Sequence, residues 1–147
     1  MIAEKLIDDH FCGVAPKDIP RLAPALIPLI EKPLKRMGSD KFYSAQDVLM
    51  KCYRGEWQCW ILWGDEIETV VITHLDTYPT GHKTITVFLV GGKNMMAGFD
   101  VGFDTILAFG REHGCKEMIG FGRKAWLRLC RQKGLSPKTL MTFFAEI

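Results

Sequence analysis

The sequence predicts one α/β domain of the α+β type over residues 1–147, a central and mostly antiparallel sheet flanked by helices. Three observations predict it. The chain has the commonest size for one hydrophobic core. Its periodicity changes from helical to extended at Trp57 and back to helical after Gly91-Gly92, which leaves a three-strand meander between two helical regions. Hydrophobic residues make up 48% and charged residues 24%, proportions that exclude a disordered, highly charged segment.

The elements follow in order. Leu22, Leu26, Leu29, Ile30, Leu34 and Met37 keep a helical stripe that Pro20, Pro24, Pro28 and Pro33 interrupt, so a kinked or broken helix is expected. Ser44 with Asp47 three residues on has the form of a capping box and opens a second helix, with Val48, Leu49, Cys52 and Tyr53 on one face. Trp57 to Trp63 is apolar on both faces, as in a central strand, and Gly64-Asp65 turns it into the next strand, Glu66 to Tyr78. Tyr78-Pro79-Thr80-Gly81 is a β-turn sequence leading to a third strand, Lys83 to Val90. Phe99, Phe103, Ile106, Leu107 and Gly110 then form a helical stripe closed by Gly114. A short strand from Lys116 to Phe121, a basic helix from Lys124 to Lys133 and a last strand from Lys138 to Glu146 complete the chain.

The five cysteines, Cys12, Cys52, Cys59, Cys115 and Cys130, are odd in number and never spaced Cys-x-x-Cys, which points to neither a disulfide framework nor zinc. Asp8-Asp9-His10 with Cys12 lacks the second cluster that a metal site needs, and no metal is expected. The beginning of the sequence has no signal-peptide h-region and no run is long enough to cross a bilayer, so a cytoplasmic protein without a membrane partner is expected. Net charge is only +2, but Arg111, Lys116, Arg123, Lys124, Arg128, Arg131, Lys133 and Lys138 face only Glu112 and Glu117 in that stretch. It reads as an anion-facing surface or as a solvated helix face. Without a recognised motif, nucleic acid is the weakest partner reading; salt-dependent binding would identify it.

The Trp57, Trp60 and Trp63 strip belongs to packing, because alternation points Trp60 away from the other two. On the next strand, alternation puts Glu68, His74 and Asp76 on one face, with His82 in the adjoining turn. His74 and Asp76 are therefore candidates for a general base, against the alternative that they face water on the open side of a sheet.

The order helix, helix, three-strand meander, glycine turn, helix, strand, helix, strand resembles the GNAT N-acetyltransferase superfamily, and within it small bacteriophage-encoded GNAT-like proteins. The resemblance implies that the third meander strand and the strand from Lys116 run parallel and splay apart around acetyl-CoA, the cosubstrate. The main chain of Leu89 and Val90 would hold the pantetheine arm. The loop Gly91, Gly92, Lys93, Asn94, Met95, Met96, Ala97 and Gly98 would hold the pyrophosphate, since glycines admit a phosphate to the backbone and a helix N-terminus offers free N–H groups. Lys93 and Gly98 fit the family's loop, whereas Met96 stands where it has a glycine. Arg123, Lys124 or Arg128 would meet further phosphate charge.

Leu129-Cys130-Arg131-Gln132-Lys133-Gly134-Leu135 resembles the family's Leu-Tyr-Glu-Lys-x-Gly-Phe, with Cys130 at the tyrosine that protonates the leaving thiolate. Cys130 is thus either the acid or a packed thiol beside Trp126 and Leu129. The resemblance implies an acetyltransferase acting on an unidentified amine. The alternative is a catalytically degenerate GNAT-like binding or virion-associated protein, and association as a homo-oligomer is open.

Overall fold

The computed structural model describes residues 10–93, 95–122 and 124–147, with the backbone alone given for 95–99 and 101. Among these residues five strands form one sheet in the order β1-β2-β3-β4-β5, with β1 at Phe11–Gly13, β2 at Trp57–Trp63, β3 at Ile67–Thr77, β4 at Lys83–Gly92 and β5 at Glu117–Gly120. All neighbours are antiparallel except β4 and β5, which run parallel. Among the described residues four α-helices cover it: α1 at Ile19–Arg36, α2 at Ala45–Tyr53, α3 at Met95–Glu112 and α4 at Lys124–Gln132.

Two apolar clusters sandwich the sheet. Leu22, Leu26, Ile30 and Leu34 of α1 and Val48, Leu49 and Cys52 of α2 pack on Ile61, Val70, Ile72 and Leu89. On the other face Phe103 and Ile106 of α3 and Leu129 of α4 pack on Trp60, Val71, Ile85, Val87 and Val90. The tryptophans divide as alternation requires, Trp60 to the α3/α4 face and Trp57 and Trp63 to the α1/α2 face.

The helix expected to be kinked or broken is not broken: it runs without interruption from Ile19 to Arg36. Pro24, Pro28 and Pro33 each withhold one N–H from the preceding turn. The buried row Leu22, Leu26, Ile30 and Leu34 is unbroken, however, and tertiary burial outweighs the lost bonds. One loss is used: Pro33 frees the carbonyl of Leu29, and Gly91 of β4 packs so closely there that a Cβ would overlap that oxygen.

The capping box forms, Asp47 N–H donating to Ser44 Oγ at 3.0 Å and Ser44 N–H to Asp47 Oδ2 at 2.9 Å, although Tyr53 turns out to be exposed. The expected strand from Lys138 to Glu146 does not form: residues 135–147 carry no regular structure and Leu140, Met141 and Phe143 are exposed. β1, short and preceded by the positive-φ residue His10, escapes periodicity analysis and adds an edge against β2.

Candidate active site

β4 holds two partners for only half its length. Thr84, Ile85, Thr86 and Val87 pair with Glu117, Met118, Ile119 and Gly120 of β5, and the pairing ends there. From Phe88 to Gly92 β4 continues along β3 alone. The register with β3 slips at this point: Ile72 faces Leu89 and Thr73 faces Val87, so Phe88 is the extra residue of a bulge. Its effect is visible in the packing, because Phe88 and Leu89, though consecutive, both join the α1/α2-face cluster.

The end of β4 is pinned. Gly92 has φ +112°, and a Cβ there would overlap the carbonyl oxygen of Glu68. Lys93 N–H donates to that carbonyl at 2.7 Å, and Thr69 Oγ1 donates to the carbonyl of Lys93. Two residues later α3 begins at Met95, so its first-turn amides, Met95 to Gly98, open next to the glycine pair. Asn94, Arg123, Asp8 and Asp9 lie outside the described residues, as do the side chains of Met95, Met96, Ala97 and Phe99.

On the α1/α2 face beside the bulge, His74 and Asp76 come together. His74 Nδ1 lies 2.8 Å from Asp76 Oδ2, and Thr86 Oγ1 donates to the same oxygen at 3.3 Å. A carboxylate only accepts, so Nδ1 carries the hydrogen and Nε2 is the basic nitrogen. The imidazole stacks on Trp57 at 4.9 Å between centroids and 24° between planes, and lies 6.4 Å from the Phe88 ring. Tyr43 closes the cluster, 5.6 Å from Trp57 and 5.5 Å from Phe88. Tyr43 also lines an open groove of about 550 Å³ shared with Glu31, Lys32, Lys35, Asp40 and Ser44.

The other candidates separate from this group. Glu68 is skipped in the pairing of Leu62 with Thr69 and Trp63 with Ile67. The bulge gives the α1/α2-facing position to Ile67 and lays the Glu68 carboxylate against Gly64, so simple alternation fails there. His82 binds Glu117 at 2.8 Å, tying the β3–β4 turn to β5. Cys130 is half-buried among Trp126, Leu129 and Leu135 on the α3/α4 face, and burial raises its thiol above the ordinary value. Lys133 bridges to Asp104 at 3.2 Å and Asp100 at 3.3 Å, so part of the basic stretch binds α4 to α3. Among the described residues no three His, Cys, Asp or Glu side chains are grouped as a metal would need.

Sequence reasoning missed Tyr43, Thr86 and the bulge at Phe88. The first two were within reach, since Tyr43 immediately precedes the capping serine and Thr86 sits opposite His74 in the meander. The bulge left no sign in the apolar run Val87-Phe88-Leu89-Val90.

No family model matches the chain, and no curated protein matches it. Solved structures do. An aminoglycoside acetyltransferase from an uncultured soil metagenomic sample, in complex with sisomicin, superposes with a TM-score of 0.67 at 13% identity, covering 93% of this chain and 95% of that one. A ribosomal-protein-alanine N-acetyltransferase from Brucella melitensis gives 0.60 at 15% identity, covering 93% and 97%. An acetyltransferase of Clostridium acetobutylicum, so described by prediction and solved with acetyl-CoA, gives 0.60 at 12% identity, covering 92% and 94%. At these identities the likeness is one of fold: the mixed five-stranded sheet with its helices is the GNAT fold.

Proposed function

We propose that the chain is an acetyl-CoA-dependent N-acetyltransferase whose cosubstrate lies in the opening between β4 and β5. The observation that carries this reading is the parting of the two strands after Val87 and Gly120, which leaves the main chain of Phe88 to Gly92 with no strand on that side among the described residues. A pantetheine arm has amides that match such a strand. Leu89 and Val90 would pair with it, as the resemblance implied. The fit is supported at the far end by Gly92, whose left-handed backbone and crowded Cα only glycine tolerates, and by the first-turn amides of α3, suited to a pyrophosphate. Arg123, Lys124 and Arg128 remain the candidates for further phosphate charge.

His74 is the proposed general base. As the amine nitrogen bonds to the thioester carbonyl carbon and the C–S bond breaks, the proton shed by the amine passes to Nε2. Asp76 keeps its bond to Nδ1–H and stabilises the imidazolium. The departing thiolate takes its proton from water, Cys130 being packed with Trp126 and Leu129 instead of supplying it. The groove beside Tyr43 is lined by Glu31 and Asp40 and equally by Lys32 and Lys35, so its charge selects no acceptor.

Calorimetry with acetyl-CoA and CoA, followed by thiol release against a panel of amines, tests the reading. Binding with amine-dependent release of CoA supports it. Binding without release for any amine favours the second reading, a CoA-binding protein without catalysis, to which the packed Cys130 also lends weight. Absence of binding overturns both.

A further inference from the structure

The turn end of the sheet carries a second polar row beside the His74–Asp76 pair. Asp76 of β3 faces Thr84 of β4, and Thr84 faces Glu117 of β5, so the three side chains stand in line with Cβ atoms about 5 Å apart. Alternation puts them on the α1/α2 side with Thr86, because Ile85 and Val87 enter the opposite core. Thr84 is 2% exposed, and its hydroxyl is buried without a hydrogen-bond partner among the described residues. Such a group costs stability until something bonds it. The carboxylates on either side are accessible, Asp76 at 37% and Glu117 at 68%. Asp76 gives Oδ2 to His74 and Thr86, and Glu117 gives Oε1 to His82, which leaves one oxygen of each open among the described residues. Lys83, next to Thr84, turns to the other face, where its chain lies against Gly114.

We infer that this row binds one ammonium group of an aliphatic diamine. An ammonium donates all its hydrogens and accepts none, and Asp76, Thr84 and Glu117 offer it an acceptor apiece. A metal ion is the poorer match, since the described residues hold no group of three His, Cys, Asp or Glu side chains. Glu117 turns from His82 to meet the cation, which opens the way to the Thr84 hydroxyl. The position of the row sets the length of the ligand. It lies two residues along β4 from the Thr86–His74 row, about 7 Å, so a second nitrogen at His74 calls for about five or six methylenes between the two. That this second nitrogen is the one acetylated rests on the acetyltransferase reading; the ammonium site itself does not. The Tyr43 groove, with lysines and carboxylates together, makes no such selection.

Calorimetry without acetyl-CoA, comparing 1,5-diaminopentane with pentylamine, reads the site, and backbone-amide NMR locates it. The inference expects saturable diamine binding with shifts at Asp76, Thr84 and Glu117, and pentylamine weaker by about tenfold or more. Glu117→Gln should remove most of that difference. Thr84→Val should weaken the diamine several-fold and yet raise the urea midpoint, because it deletes an unbonded buried hydroxyl; a hydroxyl that only held the fold together would lower the midpoint when lost. Equal affinity for the two amines, shifts elsewhere or no saturation at millimolar diamine overturns the inference. So does an undiminished preference in Glu117→Gln or a lower midpoint in Thr84→Val. Thiol release separates the two readings: CoA release as efficient with pentylamine as with the diamine overturns the inference and spares the acetyltransferase, whereas diamine bound without release upholds the site and counts against transfer.

Discussion

The first half of β4, Thr84–Val87, lies between β3 and β5, whereas the second half, Phe88–Gly92, lies against β3 only. The first half shows side chains at work: Ile85 and Val87 enter the α3/α4-face core, and Thr86 reaches Asp76. In the second half the backbone is the notable feature, with a bulge at Phe88 and two glycines that neighbouring carbonyls crowd. Buried main-chain groups need partners, and a strand that loses a neighbour in mid-sheet retains amides for something else to bind. The comparison teaches that a sheet can build a site by ending one strand early.

If the base that the first half holds opposite Thr86, 6.4 Å from the Phe88 ring, serves a reaction in the second half, His74→Ala should lower kcat by about 10²–10⁴-fold while the affinity for CoA, measured by calorimetry, stays near that of the unaltered protein. Equal loss of binding would mean that His74 shapes the site instead of acting in it. Next in size, Gly91→Ala should cost about 2–3 kcal/mol in urea unfolding, because its Cβ would meet the carbonyl of Leu29. Gly120→Ala on β5, where a Cβ meets nothing within 4 Å, should stay within about 0.5 kcal/mol. Similar costs at both positions would erase the distinction between the crowded and the open strand.

Ser44→Ala tests the support behind Tyr43 and Phe88, and should lower stability by about 1 kcal/mol. Asp47 adds a pH signature. Hydrogen bonds from the backbone and side chain of Ser44 hold its carboxyl below the usual value of 3.8. Its contribution is therefore present above the unfolded value and disappears as pH falls through the lower folded one. Asp47→Asn should destabilise the protein at neutral pH and converge with it in acid. Smallest is Cys130→Ala, expected to leave turnover unchanged and to cost under about 1 kcal/mol; a reactive thiol that CoA protects would contradict its packing role.

Much of this was legible in the sequence because the signals were periodic or local. The meander was set by β-branched alternation, α2 by Ser44 and Asp47, and the His74–Asp76 pair by a spacing of two on one strand. What was not legible depended on contacts distant in sequence. The α1 prolines read as kinks or breaks because the row beside them is buried by α2 and by strands that come later in the chain. The bulge at Phe88 follows from the pairing of β4 with β3, and the displacement of Glu68 from a register change near a turn. The segment 138–146 has the composition of a strand, but a strand needs a neighbour, and composition alone does not say where that neighbour lies.

The most direct measurement is a CoA titration followed by backbone-amide NMR. The account predicts saturable shifts concentrated at Leu89 to Lys93, the first turn of α3 and Gly120 to Lys124, with the paired residues Thr84 to Val87 little changed. Shifts confined to the groove around Glu31 and Tyr43, or none at millimolar CoA, would contradict a cosubstrate site in the opening between β4 and β5.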